Sequence, residues 1–169
     1  MIVAVTVTYN AATVIFPFLN CYFAQTSVKL KLIIIDNASS DHTRNILAGI
    51  EDPRIEVVLN AHNVGVAAAN NQGICMAQAM GANSVLLINN DTEFAANLFE
   101  QLDLQCTTMD ADAITPAIPY FNQPDRIWYA GGTFRPLRGM IGFHLRDGQP
   151  LSVLPRHPFA TDYAPTCCL

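Results

Sequence analysis

The chain has 169 residues, of which 51% are hydrophobic and 14% are charged, and its formal net charge is -5. A composition this apolar excludes intrinsic disorder, and the length suits one ordinary domain with a sizeable core. The acidic balance argues against a nucleic-acid partner, whose backbone would favour a basic patch. It does not exclude a nucleotide, because a bound metal ion can offset the charge of the phosphates.

The cysteines are odd in number and lack paired metal-ligand spacing; they are Cys21, Cys75, Cys106, Cys167 and Cys168. We expect buried, reduced thiols, which indicates the cytoplasm, and a metal site at the Cys167–Cys168 pair is the alternative. Met1 leads directly into an apolar segment without a basic region, so no signal peptide is expected. The apolar runs are too short to span a bilayer.

Four apolar segments of strand length each end in a polar loop. They cover residues 2–8, 30–35, 54–59 and 85–88, and the loops that follow them begin at Tyr9, Asp36, Asn60 and Asn89. Segments of helical character separate the four, which is the pattern of a repeated β-α unit. This pattern predicts a mainly parallel sheet whose polar strand ends gather along one edge, where a ligand cleft can form.

Four helices are predicted, over residues 12–25, 41–48, 66–80 and 95–106; the first carries apolar residues at helical spacing, and the third is rich in alanine. Pro17 is tolerable only near the start of the first helix. Ser40 or Asp41 is the expected cap of the second helix, which Gly49 ends, and Gly81 is the expected C-cap of the third. A further strand is predicted over residues 113–118.

The character of the chain changes after about Pro119, where Pro, Gly and aromatic residues become frequent. Residues 126–132 predict a short strand that leads into a loop. We therefore expect an α/β region over residues 1–118, followed by a region of hairpins and loops over 119–169 within the same domain.

The polar cluster after the fourth strand, Asn89-Asn90-Asp91-Thr92-Glu93, is the strongest chemical signal. A carboxylate at the C-terminal end of a buried strand stands where open α/β sheets bind ligands. Mg²⁺ or Mn²⁺ needs oxygen ligands, and a nucleoside diphosphate supplies those that the protein does not. The alternative is that Asp91 only caps the next helix. Glu93 is interpreted as an acid at the start of that helix, favoured by the dipole.

Four motifs stand in order along the chain: Val-Thr-Tyr-Asn at 7–10, Ile-Asp-Asn-Ala-Ser-Ser-Asp at 35–41, Asn-Val-Gly-x-Ala-x-x-x-Asn at 63–71 and Leu-Leu-Ile-Asn-Asn-Asp-Thr at 86–92. Together they resemble the inverting family 2 glycosyltransferases, in particular bacterial rhamnosyltransferase-type members. Residues 127–132 and 161–164 resemble that subgroup as well, so the likeness covers essentially the whole chain. The resemblance implies a GT-A fold, a Rossmann-like three-layer αβα sandwich with a mostly parallel mixed sheet.

The resemblance also implies which residues bind the nucleotide. The implied set is Thr8, Tyr9, Asn10, Asp36, Asn37, Asn63, Gly65, Asn70, Asn90 and Asp91. Asp36 matches the acid that accepts a hydrogen bond from a pyrimidine base, a contact that discriminates strongly between bases. An Asx-turn role for Asp36 is the alternative, and the two roles can coexist. For Tyr9 and Asn63 the alternatives are a loop-packing aromatic residue and an N-cap.

Asp91 matches the acid that ligates the divalent metal, Mg²⁺ or Mn²⁺. Asn90 matches the position nearer the ribose, but both Asn89 and Asn90 are amides where relatives carry acids. The resemblance therefore implies a metal site made of one protein carboxylate, diphosphate oxygens and water. Weak metal binding in the absence of nucleotide is expected.

The activity implied by the resemblance is transfer of a sugar, with inversion, from a UDP- or dTDP-sugar to a glycan or lipid-linked acceptor. Such a reaction would serve the synthesis of bacterial cell-surface polysaccharide, in the cytoplasm or at the inner membrane face. Residues 1–118 would bind the nucleotide sugar, and residues 119–169 would form part of the acceptor side.

An inverting enzyme needs a general base. In relatives the base lies in an acidic motif beyond the position of Leu169, and Asp162 is a poor substitute on sequence grounds. At Thr166 this chain also departs from a glycine of the family. We therefore expect a truncated chain that binds nucleotide more readily than it transfers sugar, and that self-associates through the face left open.

Two other functions remain as alternatives. One is a module that keeps the donor pocket and does not turn over. The other is a dinucleotide-dependent oxidoreductase, which is disfavoured because Tyr9 and Asn10 occupy the first βα turn, where a glycine-rich phosphate loop is needed.

Overall fold

The computed structural model describes residues 1–26, 29–109, 111–135 and 141–169. Helices and strands alternate through the first part of the chain, and strands dominate the second. In chain order they are β1 (Ile2–Thr8), α1 (Ile15–Phe23), β2 (Leu30–Asp36), α2 (Thr43–Ala48), β3 (Ile55–Leu59), α3 (Val66–Ala79), β4 (Ser84–Leu87), α4 (Leu98–Thr108), β5 (Ile118–Tyr120), β6 (Gln123–Tyr129), β7 (Gly132–Arg135) and β8 (Ile141–His144). Within the described ranges, no helix is long and apolar enough to cross a membrane.

Strands β1 to β4 form one parallel sheet in the order β3-β2-β1-β4. Thr8 at the end of β1 is in register with Asp36 at the end of β2, and Asp36 is in register with Leu59 at the end of β3. The carboxyl ends of all four strands therefore lie along the same edge, as predicted. Beyond β4, Ile88 forms an isolated antiparallel bridge with Cys168, which makes the sheet mixed at that margin.

Both faces of this sheet are covered. Val3 and Val5 of β1 face the same side as Ile33 and Ile35 of β2, and they pack with Ala69 and Ala77 of α3 in one buried cluster. Side chains alternate between faces along a strand, so Ala4, Leu32 and Ile34 point to the opposite side, where they are also fully buried. Burial on both faces explains why β1 and β2 are continuous apolar runs, and the arrangement is the expected three-layer α/β/α sandwich.

An aromatic cluster joins helices α1 and α4. The ring of Tyr22 meets Phe99 edge-on at 6.3 Å between centroids, and Phe94 contacts both Phe18 and Phe99. Edge-to-face pairs of this kind stabilise beyond the area that they bury. The buried face of α1 is formed by Ile15, Phe18, Leu19 and Tyr22, whereas Phe23 is exposed.

Two sequence interpretations are wrong. Helix α4 begins at Leu98 because residues 96–97 form a turn, so Glu93 lies in a loop and Glu100 is the acid in the first helical turn. The strand predicted over 113–118 is also absent: residues 113–117 are irregular, and only Ile118 belongs to β5. Strand β5 is defined by its antiparallel pairing with β6. The apolar pattern of one segment cannot predict such a pairing with another segment.

The chain divides into two compact units. One comprises Met1–Ile114 together with Thr166–Cys168, and the other comprises Thr115–Pro165 with Leu169. The second unit contains two antiparallel pairs, β5-β6 and β7-β8, and buries Ile127 and Tyr129. The hydroxyl of Tyr129 donates to the backbone oxygen of Tyr163 at 2.5 Å, which ties the final loop to this unit.

Candidate functional site

The loops that follow β1 and β2 are joined by hydrogen bonds at the carboxyl edge of the sheet. Asn10, with φ at 52°, turns the chain after β1, and its backbone N–H donates to the hydroxyl of Ser39 at 2.9 Å. Its side-chain oxygen accepts from the backbone N–H of Ser40, also at 2.9 Å. The N–H of Ala11 donates to the hydroxyl of Thr43 at 2.8 Å. These bonds hold the two loops as one rigid rim, in which Asn10 has a structural role.

Asp36 ends β2 and is fully buried. Its carboxylate accepts four hydrogen bonds, from the Thr8 hydroxyl, the hydroxyl and backbone N–H of Ser39, and the Nε of Arg44. Burial alone would raise the pKa of Asp36, but the hydrogen bonds from Ser39, Arg44 and Thr8 outweigh burial, and the pKa is lower than usual. Because a carboxylate offers about four lone-pair sites, those of Asp36 are all used within the protein.

A chain of carboxamides continues from this rim. The buried Asn37 donates through Nδ2 to Oδ1 of Asn63 at 2.8 Å, and its own oxygen accepts from the N–H of Val64 at 3.0 Å. Oδ1 of Asn63 also accepts from the N–H of Gly65 at 2.9 Å. Gly65 is the N-cap of α3 with φ at 82°, a left-handed conformation that glycine adopts without strain. Asn63 is therefore not the N-cap; it fixes the turn that precedes it.

A cavity of about 300 Å³ opens above these loops, within the first unit. Its lining residues are Val7, Tyr9, Asn37, Asn63, Val66, Asn70, Ile88, Asn89, Asn90, Asp91 and Thr166. The sequence-predicted site residues that line it are Tyr9, Asn37, Asn63, Asn70, Asn90 and Asp91. The predicted residues that do not line it are Thr8, Asn10, Asp36 and Gly65. Each of these four instead holds a loop or caps a helix in the structure around the cavity.

Some of the polar side chains that line the cavity already make hydrogen bonds within the protein, and others do not. Nδ2 of Asn90 donates to the backbone oxygen of Val7, which anchors this residue to β1. The side chains of Asn70, Asn89 and Asp91 make no hydrogen bond to any residue in the described part of the chain. Asp91 is exposed and is the only charged side chain among the lining residues. These three side chains are therefore free to bind a ligand.

The donor chemistry of this cluster fits a hard divalent cation. The carboxylate of Asp91 and the amide oxygens of Asn89 and Asn90 are the oxygen ligands that Mg²⁺ or Mn²⁺ accepts. In the described ranges, His, Cys, Asp and Glu form no group of three able to hold a metal ion. The site thus suits a metal that receives most of its ligands from water and from a diphosphate.

All five cysteines are free thiols. Cys168 is buried as expected, but Cys21 and Cys167 are only half-buried, and Cys75 and Cys106 are exposed. Burial raises the pKa of Cys168 to about 12. Burial likewise raises the pKa of Cys167, and the charge of Asp91 adds to that increase. A cysteine binds a metal as its thiolate, and both of these shifts disfavour the thiolate form.

Sequence reasoning missed five lining residues: Val7, Val66, Ile88, Asn89 and Thr166. Asn89 was recognised only as a departure from an acid. Thr166 was noted only as a departure from a glycine of the family, because its place beside the cavity depends on a strand pairing that is distant in sequence.

A family model and two curated proteins match this chain in sequence. The family model described as "Glycosyl transferase family 2" matches residues 3–168. The succinoglycan biosynthesis protein ExoO of Rhizobium meliloti is 32% identical over 84 residues, which are 50% of this chain and 24% of that protein. The glycosyltransferase GlyG of Streptococcus pneumoniae serotype 4 is 24% identical over 123 residues, 72% of this chain and 40% of that protein. The chain therefore spans less than half the length of these curated relatives.

Solved structures share the fold. The S. aureus protein TarS, crystallised with UDP-GlcNAc, superposes with a TM-score of 0.55 at 15% identity, over 72% of this chain and 41% of that one. The mannosyltransferase PcManGT of Pyrobaculum calidifontis, in complex with GDP-Man and Mn²⁺, gives a TM-score of 0.54 at 19% identity, over 70% of this chain and 35% of that one.

Proposed function

The chain belongs to glycosyl transferase family 2, and on that premise we propose that its cavity binds a nucleotide-diphosphate sugar for transfer to a glycan or lipid-linked acceptor. The transfer would proceed with inversion and serve the synthesis of cell-surface polysaccharide. One observation carries the proposal: Asp91, exposed and free of hydrogen bonds to the described residues, lines the same cavity as a group of carboxamides.

The cavity suits an extended nucleotide sugar because the residues that line it come from the ends of neighbouring strands, one after another across the sheet. Tyr9, Asn37 and Asn63 stand at the ends of β1 and β2 and in the loop after β3. Nδ2 of Asn63 makes no hydrogen bond to the described residues, so it can donate to a carbonyl of uracil or thymine. Asn90 and Asp91 follow β4, at the other end of the cavity, where the diphosphate would lie.

Asp36 has a positioning role in this scheme. Its lone pairs are occupied, it is fully buried and it does not line the cavity, so a contact with the base would require the loops after β1 and β2 to move apart. We therefore assign the base contact to Asn37 and Asn63, and we assign to Asp36 the task of holding the loop that carries Asn37.

Asp91, with the amide oxygens of Asn89 and Asn90, would hold Mg²⁺ or Mn²⁺. When bound, such a cation supplies positive charge against the diphosphate, which assists its departure. Asn70, one helical turn into α3, would donate to a ribose or phosphate oxygen from its free amide. The carboxylate of Asp162 accepts hydrogen bonds from the Thr133 hydroxyl at 2.7 Å and from the backbone N–H of Phe134 at 3.4 Å, so we do not assign it as the general base.

The free state of all five thiols favours a reducing compartment, so we place the reaction in the cytoplasm, at the inner membrane face if the acceptor is lipid-linked. The oxidoreductase alternative gains no support, because the first βα turn, Tyr9 to Val14, contains no glycine.

Calorimetry with UDP, dTDP and GDP and with one sugar derivative of each, with and without Mn²⁺, tests donor binding. At least one nucleotide should bind, more tightly with metal. Asn70→Ala should weaken that binding about threefold to tenfold, as expected for one lost hydrogen bond. The matched control is Gln78→Ala, which removes an exposed amide of the same helix that does not line the cavity.

Absence of binding for all six compounds would refute the proposal. A transfer assay with the donor that binds, using glycan and lipid-linked acceptors, then separates an enzyme from a binding-only module. Release of nucleotide diphosphate that depends on the acceptor, together with a product of inverted configuration, would establish the transferase. Binding without transfer to any acceptor would favour the module.

A further inference from the structure

The segment Thr166–Cys168 runs beside the end of β4, although it is far away in sequence. Ile88 and Cys168 form an antiparallel bridge, and the backbone N–H of Asn89 donates to the oxygen of Cys167 at 3.0 Å. The N–H of Ile88 itself donates to Val5 in β1, also at 3.0 Å. Successive N–H groups of an extended chain point to opposite sides, so Thr166–Cys168 lies on the side of β4 that faces away from β1.

This segment extends the carboxyl edge of the sheet by one position. The order across the edge is β3, β2, β1, β4 and then residues 166–168. Neighbouring strands are about 4.8 Å apart, so the segment lies about three spacings, or about 14 Å, from β2. Cys168 is buried and anchors the segment, whereas Thr166 is exposed and lines the cavity.

The proposed function predicts which part of a nucleotide sugar lies at each position along this edge of the sheet. A nucleotide sugar is a linear sequence of base, ribose, diphosphate and sugar. If the base lies against Asn37 at β2 and the diphosphate lies against Asp91 after β4, the next position along the edge is that of the sugar. Thr166 occupies that position.

We infer that Thr166 is a specificity-determining residue that contacts the sugar of the donor. This inference rests on the proposed function, and deepens it by assigning the sugar end of the cavity. A threonine hydroxyl supplies one donor and two acceptor sites, and the Thr166 side chain makes no hydrogen bond within the described ranges. A neutral hydroxyl matches the hydroxyl groups of a sugar, and the branched Cβ restricts the direction in which it points.

Three variants of the full chain test this inference. Thr166→Val removes the hydroxyl and keeps the shape, and Thr166→Ser keeps the hydroxyl. The control is Thr13→Val, an exposed threonine that does not line the cavity. For each variant, calorimetry with Mn²⁺ gives the dissociation constants of UDP and UDP-glucose, of dTDP and dTDP-rhamnose, and of GDP and GDP-mannose. The quantity of interest is the ratio of the two constants for the pair that wild type binds best.

In Thr166→Val the affinity for the diphosphate should stay within about twofold of wild type, while the affinity for the nucleotide sugar falls about threefold to tenfold. Thr166→Ser and Thr13→Val should both retain the wild-type ratio. An unchanged ratio in Thr166→Val, with wild type still binding nucleotide, overturns the inference and leaves the proposed function intact. An equal loss for diphosphate and nucleotide sugar also overturns it, because Thr166 then supports the phosphate site or the fold. Failure of wild type to bind any nucleotide refutes both proposals.

Discussion

Asp36 and Arg44 form an ion pair in which the carboxylate is fully buried while the guanidinium side chain is 37% exposed, with Nε and Oδ2 separated by 2.9 Å. Arg44 also donates to the backbone oxygen of Asn60, which follows β3. One arginine of α2 therefore links the ends of β2 and β3, and it compensates the charge at the only fully buried carboxylate among the described residues. Removing one partner of such a pair leaves the other uncompensated, which is costly.

The first prediction concerns acid stability. Burial raises the pKa of Asp36, but hydrogen bonds from Ser39, Arg44 and Thr8 bring it below the ordinary value of 3.8. A carboxyl group whose folded-state pKa is depressed stabilises the fold above its unfolded pKa, and that contribution is lost as the pH falls through the folded pKa. Protonation of Asp36 should therefore lower the free energy of unfolding below about pH 4.

Urea denaturation at a series of pH values from 7 to 2.5 measures this decline. Asp36→Asn should lower stability at pH 7 and flatten the dependence at acid pH. The control is Asp103→Asn, because Asp103 is exposed and its carboxylate accepts no hydrogen bond from the described residues. An Asp36→Asn profile parallel to that of wild type would contradict the prediction.

The second prediction compares two threonines of β1. Both are fully buried, but the hydroxyl of Thr8 donates to Asp36 at 3.0 Å, whereas that of Thr6 has no hydrogen-bond partner in the described part of the chain. Thr6→Val should stabilise the fold by about 1 kcal/mol, since a buried unpaired hydroxyl is removed without a change of shape. Thr8→Val should destabilise it by about 1–3 kcal/mol, because Asp36 loses a donor. Chemical denaturation of both variants gives the two signs, and equal effects would reject the argument.

The third prediction concerns the packing of α3 on β1. A Cβ atom placed on Gly73 would lie 2.2 Å from Cγ1 of Val5, closer than van der Waals contact permits. Gly73→Ala should therefore cost about 1–3 kcal/mol through overpacking. This loss opposes the gain of about 1 kcal/mol that alanine gives a helix interior. The double variant with Val5→Ala should recover part of the loss relative to the sum of the single changes.

A control for this prediction is Gly49→Ala at the end of α2, where the nearest atom to a new Cβ is the oxygen of Ile46 at 3.5 Å. That contact is ordinary, so the substitution should be nearly neutral. Similar losses at Gly49 and Gly73 would mean that the unfolded state, rather than the clash with Val5, determines the effect.

The parallel sheet was predictable because its signals are local. Strands β1 and β2 are buried on both faces, so each is a continuous run of apolar residues, and each run stops where the chain reaches the polar edge. The ends of helices were less predictable. Residues 12–14 and 96–97 form turns that the apolar pattern does not distinguish from a helix, and α1 and α4 begin three residues later than expected.

The roles of individual site residues depend on partners that are distant in sequence. Asp36 matches a base-binding acid in its motif, but its lone pairs are taken by Thr8, Ser39 and Arg44, a combination that the motif does not reveal. Thr166 reaches the cavity through an antiparallel pairing with the end of β4. Long-range pairings of this kind are set by tertiary packing, which periodicity and capping signals do not encode.

The last prediction concerns the metal. Asp91 is exposed, lines the cavity and makes no hydrogen bond to the described residues, so its carboxylate contributes little to the core. Asp91→Asn should leave the thermal midpoint within about 2 °C of wild type, as expected for a surface change. The variant should lose the increase in nucleotide affinity that Mn²⁺ or Mg²⁺ produces in wild type, because an amide replaces the one charged ligand.

The matched control is Glu93→Gln, which removes the same unit of charge two residues away at a side chain that does not line the cavity. Calorimetry of each variant uses the nucleotide that binds wild type best, with metal and with EDTA. It distinguishes the loss of a metal ligand from the loss of one negative charge near the site. Equal losses in the two variants would assign the effect to net charge, and an unchanged metal dependence in Asp91→Asn would reject Asp91 as the ligand.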